Sequence, residues 1–338
     1  MRRSPTSAAV LVGLPLFAAL GGCGGQSAPA ATATTASATR TAAAPASRGA
    51  VPARLRIVAS RRLPAPVQLP AVAVAGGRVL AAGGLSAQDT SVADVVAVAG
   101  GGIAAPRRVG ALPQALHDLG AASLGGRMLL FGGGGASGSS ASVLAVAPSG
   151  AVGAAARLPV GISDSSVATI GGTAYVVGGY TGSVPLRSVL AYTPGQPGLR
   201  DVARLPHPLR YAAVAAVGGE LLVAGGTDGV KARREIVRVD PGSGRARVVG
   251  LLPQPLEHAA GAALHGVFYA IGGRGDALDS QRSAILAVDP ANGRVRPAGA
   301  LPRALSDVGA ATLGGRIWVV GGRGPGGAVA DSAWELAP

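Results

Sequence analysis

Residues 205–226 read LPHPLRYAAVAAVGGELLVAGG. A Leu-Pro pair opens the stretch. An apolar run follows from Ala212 to Val217, and Gly218-Gly219 separates it from a second run, Leu221 to Ala224. Gly225-Gly226 closes it. Two apolar runs joined by a two-residue Gly-Gly linker suit a β-hairpin, because glycine enters positive φ freely.

The same stretch recurs along the chain. Leu-Pro pairs begin at Leu63, Leu112, Leu158, Leu205, Leu252 and Leu301, at spacings of 49, 46, 47, 47 and 49. At an offset of 13 from each Leu sits a turn pair: Gly76-Gly77, Gly125-Gly126, Gly171-Gly172, Gly218-Gly219, His265-Gly266 and Gly314-Gly315. At an offset of 20 the closing pair begins, at Gly83, Gly132, Gly178, Gly225, Gly272 and Gly321. No gap interrupts these 22 positions. Periods of this size signify stacked supersecondary units. Each unit reads as four short strands, a to d. Strands a and b are the hairpin, and a loop of variable length leads to strand c, such as Ile236 to Val239 or Ile285 to Val288. Pro148, Pro194, Pro241 and Pro290 stop strand c, and strand d, such as Ala246 to Val249, precedes the next Leu-Pro. Inner strands rich in Ala, Gly and Val let the sheets crowd around an axis.

The two ends complete the count. The sixth unit runs from Leu301 through Trp334-Glu335-Leu336 to Pro338 and lacks strand d. Ahead of the first Leu-Pro, Arg54 to Val58 forms an extra apolar segment after Pro52. Pro52 precedes Leu63 by the interval that separates Pro194 from Leu205, so this segment supplies the missing strand. The fold expected is all-β: one six-bladed β-propeller over residues 51–338, closed by a 1+3 strand exchange that removes exposed sheet edges. An open β-solenoid needs neither a missing last strand nor an extra first one.

Composition agrees. Of 338 residues, 55 are Gly and 25 are Pro, which disfavours long helices. Hydrophobic residues make up 48%, enough for a large core and against wholesale disorder. The single Cys excludes an intramolecular disulfide and a cysteine-cluster metal site. The formal net charge is +14, almost all from arginine, since Lys231 is the only lysine. A basic surface favours anionic partners such as envelope polymers. Nucleic acid is not expected, because the arginines are dispersed and aromatics reach only 3%.

Residues 1–22 read as an export signal: Arg2-Arg3, an apolar run from Ala8 to Leu20, then small residues. Leu20-Gly21-Gly22-Cys23 resembles the lipobox of bacterial lipoproteins, which implies acylation of Cys23 and cleavage before it. Residues 23–50, mostly Ala, Thr, Ser, Pro and Gly, read as a disordered tether of roughly 30 Å end to end. The expected location is therefore the cell envelope, with the propeller anchored to a bacterial membrane through Cys23.

The repeats resemble those of the Kelch family over about residues 52–338. Tyr175, Tyr269 and Trp318 stand three residues before their Gly-Gly pairs, as in the family pattern, whereas Leu80, Leu129 and Leu222 fill that place elsewhere. The family's strand-c Tyr is matched only by Tyr192, and its usual strand-d Trp is absent. The resemblance implies a propeller and leaves function open among protein binders, sugar enzymes and oxidases. The family's copper-radical oxidases need a crosslinked Cys, and no Cys falls in the domain.

Candidate site residues come from the start of strand a. Offset 6 from each Leu-Pro gives Leu69, Asp118, Asp164, Tyr211, His258 and Asp307; offset 5 gives Gln68, His117, Ser163, Arg210, Glu257 and Ser306. All ten of these positions in units two to six are polar or ionisable. Symmetry places both sets near the mouth of the central channel, and strand alternation turns one of them inward. The expected ligand-binding set is Asp118, Asp164, Arg210, Tyr211, His258 and Asp307, on the face made by the d–a and b–c loops. The competing reading is structural, with Asp finishing a turn. Asp228, Arg274, Asp276 and Arg323 in b–c loops either extend the site or are solvated charges. No metal and no cofactor is expected, although Asp118, Asp164 and Asp307 could share an oxygen-liganded cation. The four histidines, His117, His207, His258 and His265, form no zinc motif. Arg274-Gly275-Asp276 spells an adhesion tripeptide by coincidence. The function expected is a monomeric scaffold binding a protein or glycan. The alternative is an envelope sugar-modifying enzyme, an epimerase, mutarotase or lyase, using His258, Glu257 and Arg210.

Overall fold

The structure is a computed structural model and describes residues 54–338. The expected signal segment, the tether and Cys23 lie outside the described residues. Strand β1 is Arg56–Arg62. Blade 1 is β2 (Ala71–Ala75), β3 (Arg78–Ala82), β4 (Asp94–Gly100) and β5 (Arg107–Ala111). Blade 2 begins with β6 (Gly120–Leu124) and β7 (Arg127–Phe131). A short ribbon, β8 (Gly134–Gly135) with β9 (Gly138–Ser139), decorates its b–c loop, and β10 (Ser142–Val146) and β11 (Val152–Arg157) complete it. Blade 3 is β12 (Ser166–Ile170), β13 (Thr173–Val177), β14 (Ser188–Tyr192) and β15 (Arg200–Arg204). Blade 4 is β16 (Ala213–Val217), β17 (Glu220–Ala224), β18 (Glu235–Asp240) and β19 (Arg245–Leu251). Blade 5 is β20 (Ala260–Leu264), β21 (Val267–Ile271), β22 (Ala284–Val288) and β23 (Val295–Ala300). Blade 6 is β24 (Gly309–Leu313), β25 (Arg316–Val320) and β26 (Ser332–Ala337), with β1 as its outer strand.

The expected architecture is therefore present: six four-stranded antiparallel blades, the last closed by the N-terminal strand pairing with β26. In five of the six a–b turns both turn residues have positive φ, the geometry that a two-residue hairpin of matching twist requires. His265 takes that conformation at a φ of 49° without glycine's freedom.

Side chains alternate along each strand and feed two different interfaces. Leu221 and Val223 of β17 pack with blade 3, while Leu222 and Ala224 pack with blade 5. Six apolar clusters result, one at each blade-to-blade seam. This explains why strands b and c are nearly continuous apolar runs: both of their faces are buried. Nearest the axis there is no room even for that. A Cβ on Gly261 would meet the Val214 backbone N at 2.3 Å, and one on Gly309 would meet Val72 Cγ2 at 2.3 Å.

The closing Gly-Gly pairs hold the seams. The second glycine donates its N–H to a carbonyl of the loop that enters the next blade. These bonds are Gly84 to Leu116, Gly133 to Ile162, Gly179 to Leu209, Gly226 to Leu256, Gly273 to Leu305 and Gly322 to Val67, all at 2.8–2.9 Å. The first glycine lies against the same carbonyl. A Cβ on Gly132 would stand 1.9 Å from the Ile162 oxygen, and φ there is +66°.

Two glycines of blade 2 separate the steric cost from the conformational one. Gly125 has φ +58° with open space around it, so Gly125→Ala should cost about 1 kcal/mol in urea unfolding. Gly132→Ala adds the collision with Ile162 and should cost about 3 kcal/mol or more. Equal costs would show that the seam contact contributes nothing.

Candidate functional site

Each Leu-Pro leads into a d–a loop with the same local course. The Leu is buried and its N–H is held by the start of strand c, as in Leu205 to the Arg187 carbonyl at 2.7 Å. The offset-5 residue then forms an isolated antiparallel bridge with the residue after Gly-Gly: Gln68 with Leu85, His117 with Gly134, Ser163 with Tyr180, Arg210 with Thr227, Glu257 with Arg274 and Ser306 with Arg323. The bridge fixes the d–a loop to the b–c loop of its own blade.

The offset-6 residue comes next, and in all six units it is left-handed. φ is 55° at Leu69, 54° at Asp118, 59° at Asp164, 54° at Tyr211, 55° at His258 and 60° at Asp307. Asp and His enter this region more readily than other non-glycine residues, so the repeated Asp has a conformational cause. Leu69 and Tyr211 have no such preference. These six backbones are also joined around the axis. Asp164 N–H donates to the Asp118 carbonyl, Tyr211 to Asp164, His258 to Tyr211, Asp307 to His258 and Leu69 to Asp307, at 2.8–3.1 Å.

All six offset-6 side chains line one cavity of about 120 Å³ at the channel mouth. Of the offset-5 side chains, Gln68, His117, Ser163 and Glu257 contact b–c loops, whereas Arg210 and Ser306 also reach residues of the mouth. The expected set thus meets in two networks. Arg210 pairs with Asp164 and donates at 3.0 Å to the Tyr211 hydroxyl, which donates at 3.1 Å to Asp118. The Arg210 guanidinium lies between the rings of Tyr180 and Tyr211, 4.3 and 4.7 Å from their centroids. In the second network His258 Nδ1 lies 2.5 Å from Asp307 Oδ1, and Ser306 Oγ donates at 2.5 Å to the other oxygen. The networks touch where Tyr211 stacks on His258, with centroids 3.7 Å apart.

The charges differ in support. Burial opposes ionisation of Asp307, but hydrogen bonds from His258 and Ser306 hold it below the ordinary carboxylate range. Asp118 goes the other way. Burial pushes its carboxyl well up, and the charges of Asp164 and Asp307 add to the push. Beside it, burial pushes the His117 imidazole down, and its Nδ1 meets Ser91 at 2.8 Å.

The b–c loop charges are neither bare nor simply solvated. Burial is the largest single influence on Asp228 and opposes its ionisation, but the Val230 and Lys231 N–H groups that it accepts from and its pairing with Arg233 together outweigh it and lower its pKa to about 2. Asp276 reaches across to the Ala232 N–H of the neighbouring loop. Arg274 is half-buried and paired with Glu257 at 2.5 Å, so the arginine of Arg274-Gly275-Asp276 is not free for an adhesion contact. Arg323 pairs with Asp89, which also accepts from Gln68. A second, more open hollow of about 260 Å³ continues outward from the channel mouth, between the b–c loops of blades 4 and 5. Among the described residues no group of three His, Cys, Asp or Glu is arranged to hold a metal. Tyr180, Ser165 and Asp89 were not singled out by the repeat, although Tyr180 directly follows a Gly-Gly pair.

The Kelch motif matches residues 162–196, a segment that runs from the channel mouth through Gly178-Gly179 to strand c of blade 3. With the six four-stranded blades it supports a Kelch-repeat β-propeller. No curated protein matches the chain. Solved structures match in number, 798 chains, so the fold alone singles out no activity. One, described as "Structure of YjhT", is similar with a TM-score of 0.70 at 13% identity, covering 82% of this chain and 96% of that one. The likeness is one of fold.

A raised folded-state pKa stabilises the fold below the unfolded value near 3.9, and that contribution is lost as pH rises through the folded value. Asp118→Asn removes this titration. Relative to the parent, the variant should gain stability as pH rises above about 4, by up to about 1.4 kcal/mol per pH unit, until the folded pKa of Asp118 is passed. Thermal melts at both ends of that range test this; parallel curves would mean that Asp118 ionises as an ordinary carboxyl.

Proposed function

We propose that the protein is an exported binding scaffold, tethered to a bacterial membrane through Cys23, that presents the d–a/b–c face of its propeller to a partner protein. The observation that carries this reading is a set of aliphatic side chains on three consecutive b–c loops. Val184, Val230 and Leu278 are 54%, 90% and 71% exposed. Folding does not require them there, and their loops are braced. Thr181 Oγ1 accepts from the Val184 N–H, Asp228 holds Val230, and Asp276 ties the blade 5 loop to the blade 4 loop. Exposed apolar groups on rigid loops around a charged hollow match the make-up of a protein interface, an apolar centre with polar surroundings.

A protein partner suits this surface better than a glycan. Sugar faces stack on free aromatic rings, whereas Tyr211 is covered by His258 and Arg210, and Tyr180 by Arg210. The sugar-modifying alternative needs acid–base groups free to exchange protons. Glu257, His258 and Arg210 are each engaged, with Arg274, Asp307 and Asp164. The envelope address rests on the amino-terminal sequence alone.

Two measurements test the two halves. Cys23→Ala should move the protein from the membrane pellet to the soluble fraction; retention in the pellet would refute the lipid anchor. A photo-crosslinking residue at position 230 or 278 should give a discrete protein adduct on intact cells, while one at Val248 on the outer strand β19 should not. Equal labelling from all three positions would oppose the assigned face.

A further inference from the structure

The channel-mouth cavity holds an acid without a counter-charge. Of its three carboxyl side chains, Asp164 has the Arg210 guanidinium and Asp307 has the His258 ring. Asp118 has the Tyr211 hydroxyl and a hydrogen bond with Asp164. The His117 ring is 3.8 Å away, and burial disfavours its charged form. A second group lacks a hydrogen-bond partner altogether. Ser165 lines the same cavity, is only 7% exposed, and its Oγ is buried without a hydrogen-bond partner. The rest of the wall is aliphatic: Leu69, Pro70, Leu119, Ala212, Ala259 and Val308. At about 120 Å³ the space takes a few waters or the end of a chain, not a ligand of several hundred Å³.

We propose that this cavity receives a primary ammonium group on an aliphatic stem, with Asp118 as its counter-ion and the Ser165 hydroxyl as a hydrogen-bond acceptor. An anion would meet three carboxyl groups. A neutral alcohol could satisfy Ser165 but would leave Asp118 without a counter-charge. A divalent cation of the calcium type needs six to eight oxygen ligands, which these walls do not offer. An ammonium group brings a compact charge and three donors, and its methylene stem lies against the aliphatic wall.

The exchange is balanced. Asp118 is faced by Asp164, Asp307, Tyr211, His117 and Arg210, shares its cavity with His258, and holds its proton beyond the ordinary range. The entering ammonium takes over the role of that proton, which leaves to solvent, so one positive charge replaces another. Affinity therefore rises with pH below the folded pKa of Asp118, by up to tenfold per unit, while the amine itself stays charged to about pH 10. The inference goes beyond the scaffold reading and stands without it, since a free amine suffices.

The test is isothermal titration of the full-length protein with n-butylamine, 1-butanol and butyrate at pH 5 and 7, in buffers of different ionisation enthalpy. The expected result is one-to-one binding of n-butylammonium alone, tighter at pH 7 than at pH 5, with release of up to one proton at pH 5. Asp118→Asn should abolish binding and Ser165→Ala should weaken it, both with cooperative thermal unfolding retained. A capped lysine tripeptide binding at least tenfold tighter than n-butylamine assigns the group to a polypeptide; equal affinity assigns it to a small amine. Absence of amine binding at millimolar concentration, unchanged binding by Asp118→Asn, or displacement of the amine by butyrate or calcium would overturn the proposal. A failed crosslink at position 230 alongside intact amine binding would count against the partner face only.

Discussion

A backbone hydrogen bond recurs at all six seams, from the second glycine of each Gly-Gly pair to a carbonyl in the loop entering the next blade. Its geometry demands that the preceding glycine lie almost on that carbonyl, where no Cβ fits at any of the six positions. The carbonyl belongs to Val67, Leu116, Ile162, Leu209, Leu256 or Leu305, two residues before the left-handed residue of the channel mouth. Fixing the carbonyl fixes the bridge that follows it and hence the direction of the next side chain. The seam and the candidate site are in this sense one piece of backbone. Variation in side chains at the mouth leaves the seam bond untouched, because donor and acceptor are both main chain.

Conformation and chemistry are superposed at the mouth, and they separate on inspection of the six residues. The left-handed backbone accounts for four of them by preference alone, the three Asp and His258. It does not account for Tyr211, nor for the joining of Tyr211, Arg210, Asp118 and Asp164 into one network. Nor does it account for Ser165, which is not left-handed and has a buried, unpaired hydroxyl. A turn-finishing Asp would be satisfied by its own backbone, whereas Asp118 is satisfied by side chains of two other blades. The chemistry of the mouth is thus assembled between blades from positions that each blade supplies for its own reasons.

The blade count, the strand order and the closing exchange were legible because they rest on backbone needs that leave marks at fixed offsets. Gly-Gly marks turns and seams, and Leu-Pro marks the exit of strand d. The site was legible to the level of its ring. The offset arithmetic finds Asp118, Asp164 and Asp307 but cannot say which of them receives a counter-charge. That depends on whether Arg210 or His258, at other offsets or in other blades, reaches across. The b–c loops were the least legible part. Asp228 and Asp276 serve as braces because of how loops of different length lean on each other, and no period records that. His265 departs from the turn glycine of the other units and still takes the same φ, a conformation that His enters more readily than most residues.

The shared last blade also sets an order of events. Five blades are made from contiguous sequence and can form as soon as their own 40-odd residues are available, since each is a run of local hairpins. The sixth cannot. The contact between Arg62 and Asp331 joins positions 269 residues apart, so β1 must wait unpaired until almost the whole chain is present. During synthesis the ring stays open, with the flank of blade 1 bare on its blade 6 side. Final assembly is therefore a single late event, and a chain shortened at its C-terminus by one strand would leave β1 without its partner and β25 with an unpaired edge.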